Sequence, residues 1–309
     1  MSFDRLIARI VETGNPTVVG LDPKLDYIPE HIKEAAFQEH GNTLRGAAEA
    51  FLTFNKGIID AVCDIVPAVK PQCAYYEMLG YEGMRALYET IQYAKSRGMF
   101  VITDGKRNDI GSTMEAYAVA HLGEISINGA VAEPFGGDAL TVNGYLGTDG
   151  IKPLLGICNA KDKGIFALVK TSNPSSGEFQ DREIDGEAVY SIMAGMCEAW
   201  GAESMGQYGY SAVGAVVGAT YPAQLAELRK KAPHTFFLVP GYGAQGGTAA
   251  DVAGAFDEKG LGAIVNSSRA ILTAWKKQNV PGEEYAAAAR NEAIRMRDDI
   301  TQYIPKITL

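Results

Sequence analysis

Eight short apolar runs rich in β-branched residues, each followed by a longer stretch of helical periodicity, constrain this chain more than any other feature. The runs are 17–21, 65–69, 99–103, 139–142, 165–169, 212–217, 235–239 and 262–265. Each is almost continuously apolar, the pattern of a strand covered on both faces of a parallel sheet. Between them the spacing predicts helices over 43–64, 80–96, 187–201 and 222–231. Phe51, Phe54, Ile58 and Val62 share one face of the first of these. The N-terminal stretch reads as an amphipathic helix with Leu6, Ile7, Ile10 and Val11 on one side. Eight strands alternating with helices is the count of a closed α/β barrel, the (β/α)8 or TIM barrel. An open doubly wound sheet is the competing architecture, but no GxGxxG fingerprint follows the first strand. With no repeat, linker or low-complexity tract, residues 1–309 read as a single barrel domain. Two connections are long, 22–42 and 173–185, and loops of that kind on a barrel tend to be lids or binding loops.

Charge narrows the function. Lys and Arg number 28 against 37 Asp and Glu, a net charge of −9. That sign disfavours a nucleic-acid or anionic-membrane surface, while leaving room for a local cationic pocket. Hydrophobic residues at 47% with 21% charged residues are enough for a large buried core. No apolar run approaches the ~18 residues of a membrane span, and the N-terminus lacks a signal-peptide core. A cytoplasmic location is expected. Cys63, Cys73, Cys158 and Cys197 form no CxxC pair, which argues against a disulfide framework or structural zinc. His31, His40, His121 and His234 form no HxH or HExxH pair, so no metal is expected.

In a barrel, chemistry gathers at the C-terminal strand ends. Those ends are polar here: Asp22 after strand one, Lys70 after strand two, Asp104 and Lys106 after strand three, Asn143 after strand four, Thr171 and Ser172 after strand five. Charges placed directly after buried strands are costly unless paired or used. Asp104, Lys106 and Asp109 form D-x-K-x-x-D, and residues two apart on an extended chain face the same side. An ammonium held between carboxylates stays protonated, which suits a general acid rather than a Schiff-base nucleophile. Lys70 can extend this row into an alternating network; a purely stabilising ion-pair network is the other reading. Strand seven runs into PGYGAQGG (240–247) and strand eight into NSSRA, with Arg269. Glycines free backbone N–H groups for an anion, an arginine grips phosphate bidentately, and barrels often hold phosphate after these two strands. The same glycines would also serve a tight turn. Asp22 suits either ribose hydroxyls or a turn with Pro23, and Ser172 either a polar base or a plain loop hydroxyl.

At these residues the chain resembles the orotidine 5′-phosphate decarboxylase family, in its longer bacterial form. The match runs through VGLDP, FNKGIIDAV, VKPQ, ITDGKRNDIGST, KTSNPSSGE, VGAT, VPGYGAQGG and NSSRAIL, nearly the whole chain. The resemblance implies a (β/α)8 barrel and a homodimer with active sites at the interface. It implies conversion of orotidine 5′-monophosphate to UMP and carbon dioxide, the last step of UMP synthesis, with no metal or cofactor. By the same resemblance Lys106 delivers the proton to C6, Asp104 faces the departing carboxylate, and Lys70 completes the charge network and touches the ribose. Asp109 and Thr113 are implied to serve the neighbouring subunit's site, Asp22 the ribose, Ser172 the pyrimidine edge, and Gln245 and Arg269 the phosphate, with Tyr242 nearby. Two other functions compete. A magnesium-dependent sugar-phosphate decarboxylase or aldolase shares D-x-K-x-x-D but carries a carboxylate where Lys70 stands. A silent nucleotide-phosphate binder would keep Gln245 and Arg269 without needing the charged quartet.

Overall fold

The computed structural model describes residues 2–243 and 246–309. Its centre is a closed barrel of eight parallel strands. These are β1 (Thr17–Leu21), β2 (Ala68–Pro71), β3 (Phe100–Arg107) and β4 (Ala139–Val142). The circuit continues through β5 (Gly164–Lys170), β6 (Val213–Val217), β7 (Phe237–Val239) and β8 (Ala263–Ser267). Each strand pairs with its sequence neighbour, and β8 closes on β1 with Thr17 opposite Val265 and Val19 opposite Ser267. The eight strands fall on the eight apolar runs. β3 continues beyond its run because the chain resumes pairing with β4 at Arg107 after an irregularity that begins past Thr103.

Period-two alternation sorts the side chains. Val18, Ala68, Phe100, Ile102, Ala139, Phe166, Leu238 and Ile264 pack in one buried cluster inside the barrel. Their neighbours Val19, Val69, Val101, Leu140, Ala167 and Val265 join the larger cluster under the surrounding helices. The N-terminal helix Ser2–Thr13 lays Phe3, Leu6, Ile7 and Ile10 against the inner cluster. The Phe3 ring lies 4.8 Å from Phe166 and 5.5 Å from Phe236. This helix stoppers the N-terminal mouth with apolar rings, so only the opposite end of the barrel is left for polar chemistry. Val11 is only half-buried at its edge.

The helices follow local signals. Leu44–Val62 begins where the Thr43 hydroxyl accepts from the Gly46 N–H at 3.1 Å, and Pro222 opens Pro222–Lys231, where its missing N–H costs nothing. Gly80–Ser96 coincides with its expectation, while the helix expected from 187 starts at Val189 because Glu187–Ala188 pairs with Glu183–Ile184 as a hairpin. The connection after β1 carries a turn at Leu25–Tyr27 and a helix at Glu30–His40. That after β5 carries a turn at Pro174–Glu178 before its hairpin. A second hairpin, Ile125–Ile127 with Ala130–Ala132, precedes β4. Among the described residues, no helix is long and apolar enough to cross a membrane.

Candidate active site

A cavity of about 720 Å³ opens at the C-terminal mouth of the barrel. Its floor is apolar, from Leu168, Val216 and Leu238, and its wall carries Asp22, Lys70, Asp104, Lys106, Thr141, Ser172 and Arg269. A few converging polar groups on an apolar base, in a pocket of this size, is the usual build of a small-molecule site.

Lys70, Asp104 and Lys106 form one row. Lys70 Nζ donates to Asp104 Oδ2 at 2.8 Å, and Lys106 Nζ donates to Asp104 Oδ1 at 2.7 Å. Asp22 Oδ1 lies 3.9 Å from Lys70 Nζ on the other side. Asp104 also accepts from Gln72 Nε2 at 2.9 Å and from the Thr141 hydroxyl at 2.7 Å, so both of its oxygens are doubly held. Burial by itself would push the Lys70 ammonium down, but the charges of Asp104 and Asp22 outweigh it and hold the group above the ordinary lysine value. Burial would likewise raise the Asp104 carboxyl, yet Lys70 and Lys106 keep it well below the usual carboxylate range. Lys70 and Asp104 are therefore a cation–anion pair at neutral pH. Lys70 and Asp104 are buried, whereas the Lys106 side chain is 46% exposed to the cavity and solvent.

Lys106 reaches the same side as Asp104, but not along a regular pleat. Its backbone has φ 47°, in the left-handed region that a long side chain seldom adopts, and the β3–β4 register shifts across this segment. The Lys106 N–H donates to the Thr141 hydroxyl at 3.0 Å, so Thr141 holds both the backbone of Lys106 and the carboxylate of Asp104.

The rest of the rim comes from β1, β5, β7 and β8. At β1, a Cβ built on Gly20 would lie 1.9 Å from Ser268 Oγ, so the bare glycine lets the ends of β1 and β8 meet directly. Asp22 Oδ1 and Asn266 Oδ1 are buried acceptors that receive no hydrogen bond from the described residues. After β7, Gly241, Gly243 and Gly246 take φ values of 101°, 69° and 96°, which a glycine adopts without strain. Three N–H groups of this loop close it internally: Gly243 on Gly247 O, Gly246 on Gly243 O and Gly247 on Gly241 O. Those three donors thus serve the turn. Gln245 lies outside the described residues. The Tyr242 hydroxyl donates to Asp299 at 2.6 Å, and burial together with that carboxylate pushes the phenol up to about 12. Arg269 opens the short helix Arg269–Leu272 and lines the cavity beside Ser267 and Ser268.

Not every expected residue meets in this cavity. Asp109 and Thr113 do not line it; Asp109 accepts from the Ile110 N–H at 2.8 Å, and Thr113 is exposed on the helix Gly111–Leu122. Asn143 is turned to a neighbouring cavity with Tyr145 and Phe179, and β4 contributes Thr141 instead. Sequence reasoning also passed over Gln72, Lys24, Tyr27, Tyr75 and Gln180, all on the cavity wall. Gln72 stands two residues after Lys70, and Thr141 two after the interior Ala139, so the strand period carried a signal for both.

A closed (β/α)8 barrel with a lysine–aspartate–lysine row in a cavity at its C-terminal mouth has the build of a barrel enzyme with a charged small-molecule site. The chain belongs to the orotidine 5′-phosphate decarboxylase / HUMPS family, whose model matches residues 47–281. It is 48% identical over 285 residues to the orotidine 5′-phosphate decarboxylase of Rhodopirellula baltica, covering 92% of this chain and 91% of that one. It is 43% identical over 305 residues to that of Clostridium tetani, covering 98% and 99%. Among solved structures, a putative orotidine-monophosphate decarboxylase from Toxoplasma gondii superposes with a TM-score of 0.77 at 31% identity, covering 97% and 98%.

Proposed function

We propose that this chain converts orotidine 5′-monophosphate to UMP and carbon dioxide without a cofactor, the last step of UMP synthesis, as a cytoplasmic homodimer in which residues 1–309 act as one unit. As a member of its family the chain is a carboxy-lyase. The observation that carries the particular reading is the Lys70–Asp104–Lys106 row, with Lys106 the member that faces the open cavity.

The C6–carboxylate bond breaks and its electron pair stays on C6, where the ring delocalises it poorly. A fixed ammonium beside C6 stabilises that charge, and Lys106 then gives C6 its proton. Asp104, anionic and clamped by four donors, faces the carboxylate that leaves. The open acceptor of Asp22 suits a ribose hydroxyl, with Lys70 alongside. Ser172 reads the pyrimidine edge, while Gln245 and Arg269 hold the phosphate, whose binding energy is available to the transition state. Asp109 and Thr113, turned out of their own cavity, complete that of the neighbouring subunit.

Lys70 also separates this reading from a magnesium-dependent relative, because a lysine at the end of β2 is a poor neighbour for a divalent cation. The test is direct: purified protein mixed with orotidine 5′-monophosphate, followed by ultraviolet absorbance, with and without EDTA. Turnover unaffected by EDTA is expected; binding without turnover would leave only a nucleotide-phosphate binder.

A further inference from the structure

Lys170, the last residue of β5, is fully buried yet does not line the cavity, and nothing in the proposed chemistry uses it. The β5–β6 register slips between Val216 and Val217, and Lys170 stands opposite Val217 there. Its Nζ donates to Asp181 Oδ1 at 2.6 Å and to Ser176 Oγ at 3.2 Å. It also sits 4.4 Å from the Tyr221 ring centroid and 5.7 Å from that of Tyr190. One ammonium thus joins the connection after β5 to the starts of Val189–Gly201 and Pro222–Lys231.

Stability alone does not call for a lysine here. A buried ammonium pays a desolvation cost that its pairing with a 40% exposed, solvent-screened carboxylate repays only in part, so an apolar side chain of similar volume would often be neutral or favourable. What the pair does achieve is position. Asp181 is adjacent to Gln180, whose Oε1 accepts from the Thr171 N–H at 2.9 Å and whose Nε2 donates to the Thr171 hydroxyl at 2.7 Å. That hydroxyl donates in turn to Asn173 Oδ1 at 2.6 Å. Thr171, Ser172, Asn173 and Gln180 all line the cavity.

We propose that Lys170 is a positioning residue: its ammonium staples Ser176 and Asp181, and through Gln180 and Thr171 it fixes the Ser172 segment at the edge where the substrate's base is read. The link to the base rests on the proposed decarboxylase reading; the staple itself does not.

Two readouts test it in the intact protein. Lys170→Met should raise KM for orotidine 5′-monophosphate about 10- to 100-fold with a smaller change in kcat, as for a displaced positioning group, while Lys170→Arg recovers part of the loss. Trypsin should cut faster after the exposed Arg182 in Lys170→Met than in wild type. Should that variant fail to fold, Asp181→Asn, at the solvent-facing end of the pair, should raise KM and tryptic cutting in the same direction. Where Lys170→Met folds, the double variant should be no worse than the worse single one, as expected for residues acting as one unit. A lowered melting temperature with KM and cutting rate unchanged would overturn the proposal, as would additive effects in the double variant. If wild type itself fails to turn over the nucleotide, the decarboxylase reading falls, and the proteolysis arm still decides the staple.

Discussion

Lys106 donates to Asp104 at 2.7 Å from a backbone held at φ 47°. A lysine in that region carries local strain of order 1–3 kcal/mol that the surrounding structure must offset. Thr141, bonded to the N–H of the one and the carboxylate of the other, is one restraint that does so. Lys106, the proton donor of the proposed mechanism, is thus fixed at both ends before any substrate arrives, which is the preorganisation that electrostatic catalysis requires.

Under the proposed mechanism, Lys106→Ala removes the proton donor and one of the two ammonium groups that flank Asp104. Turnover should fall by at least ~10²–10⁴-fold, the range for one general acid, while UMP binding stays measurable by calorimetry. Near-normal turnover would remove Lys106 from the assigned role.

Asp104→Asn leaves the buried Lys70 without its closest counter-charge, and stability at neutral pH should fall by about 3–5 kcal/mol. The wild-type carboxyl is held below its ordinary 3.8, so its contribution is complete above that value and is lost as pH falls toward the folded-state value. The difference in Tm between wild type and variant should therefore be widest near neutrality and shrink below about pH 4. Thermal unfolding followed from neutral to strongly acidic buffer checks this; a difference independent of pH would contradict it.

Arg269→Ala should lower kcat/KM by about 10- to 150-fold, corresponding to the ~1.5–3 kcal/mol of a hydrogen bond to a charged group. The loss should disappear when the substrate is the nucleoside lacking phosphate. An equal loss on both substrates would place Arg269 away from the phosphate.

Mixing the inactive variants Lys106→Ala and Asp109→Ala tests the shared site. In a twofold dimer with Asp109 crossing to the neighbour, half of the sites in each mixed dimer are intact, and about a quarter of wild-type activity should return after subunit exchange. No recovery after confirmed exchange would confine Asp109 to its own subunit.

The barrel was legible because eight runs such as 139–142 and 165–169 are apolar on both faces, and only a sheet covered on both sides needs that. Much of the site was legible for the complementary reason: Asp22, Lys70, Asp104 and Lys106 are charges set just beyond the apolar runs, the last three on the ends of β2 and β3 themselves, and all four line one cavity. Gln72 and Thr141 escaped because they are neutral, and a search for ionisable strand ends passes over the donors that fill an aspartate's remaining lone pairs. The φ of Lys106 has no local cue, since it is imposed by the β3–β4 register shift. D-x-K-x-x-D reads as one string, yet the chain turns after Arg107 and carries Asp109 away from the cavity that holds its first two members.

Gly20 gives the mouth a fixed gauge. With hydrogen in place of a methyl, the segment leading to Asp22 rests directly against Ser268, the residue before Arg269. The spacing between the ends of β1 and β8 is then set by the Gly20 backbone lying against the Ser268 side chain, with no side chain on the β1 side to hold them apart. Any attempt to re-engineer this enzyme for a longer or shorter ligand must begin by rebuilding that seam, because altering the gripping residues alone leaves the ruler unchanged.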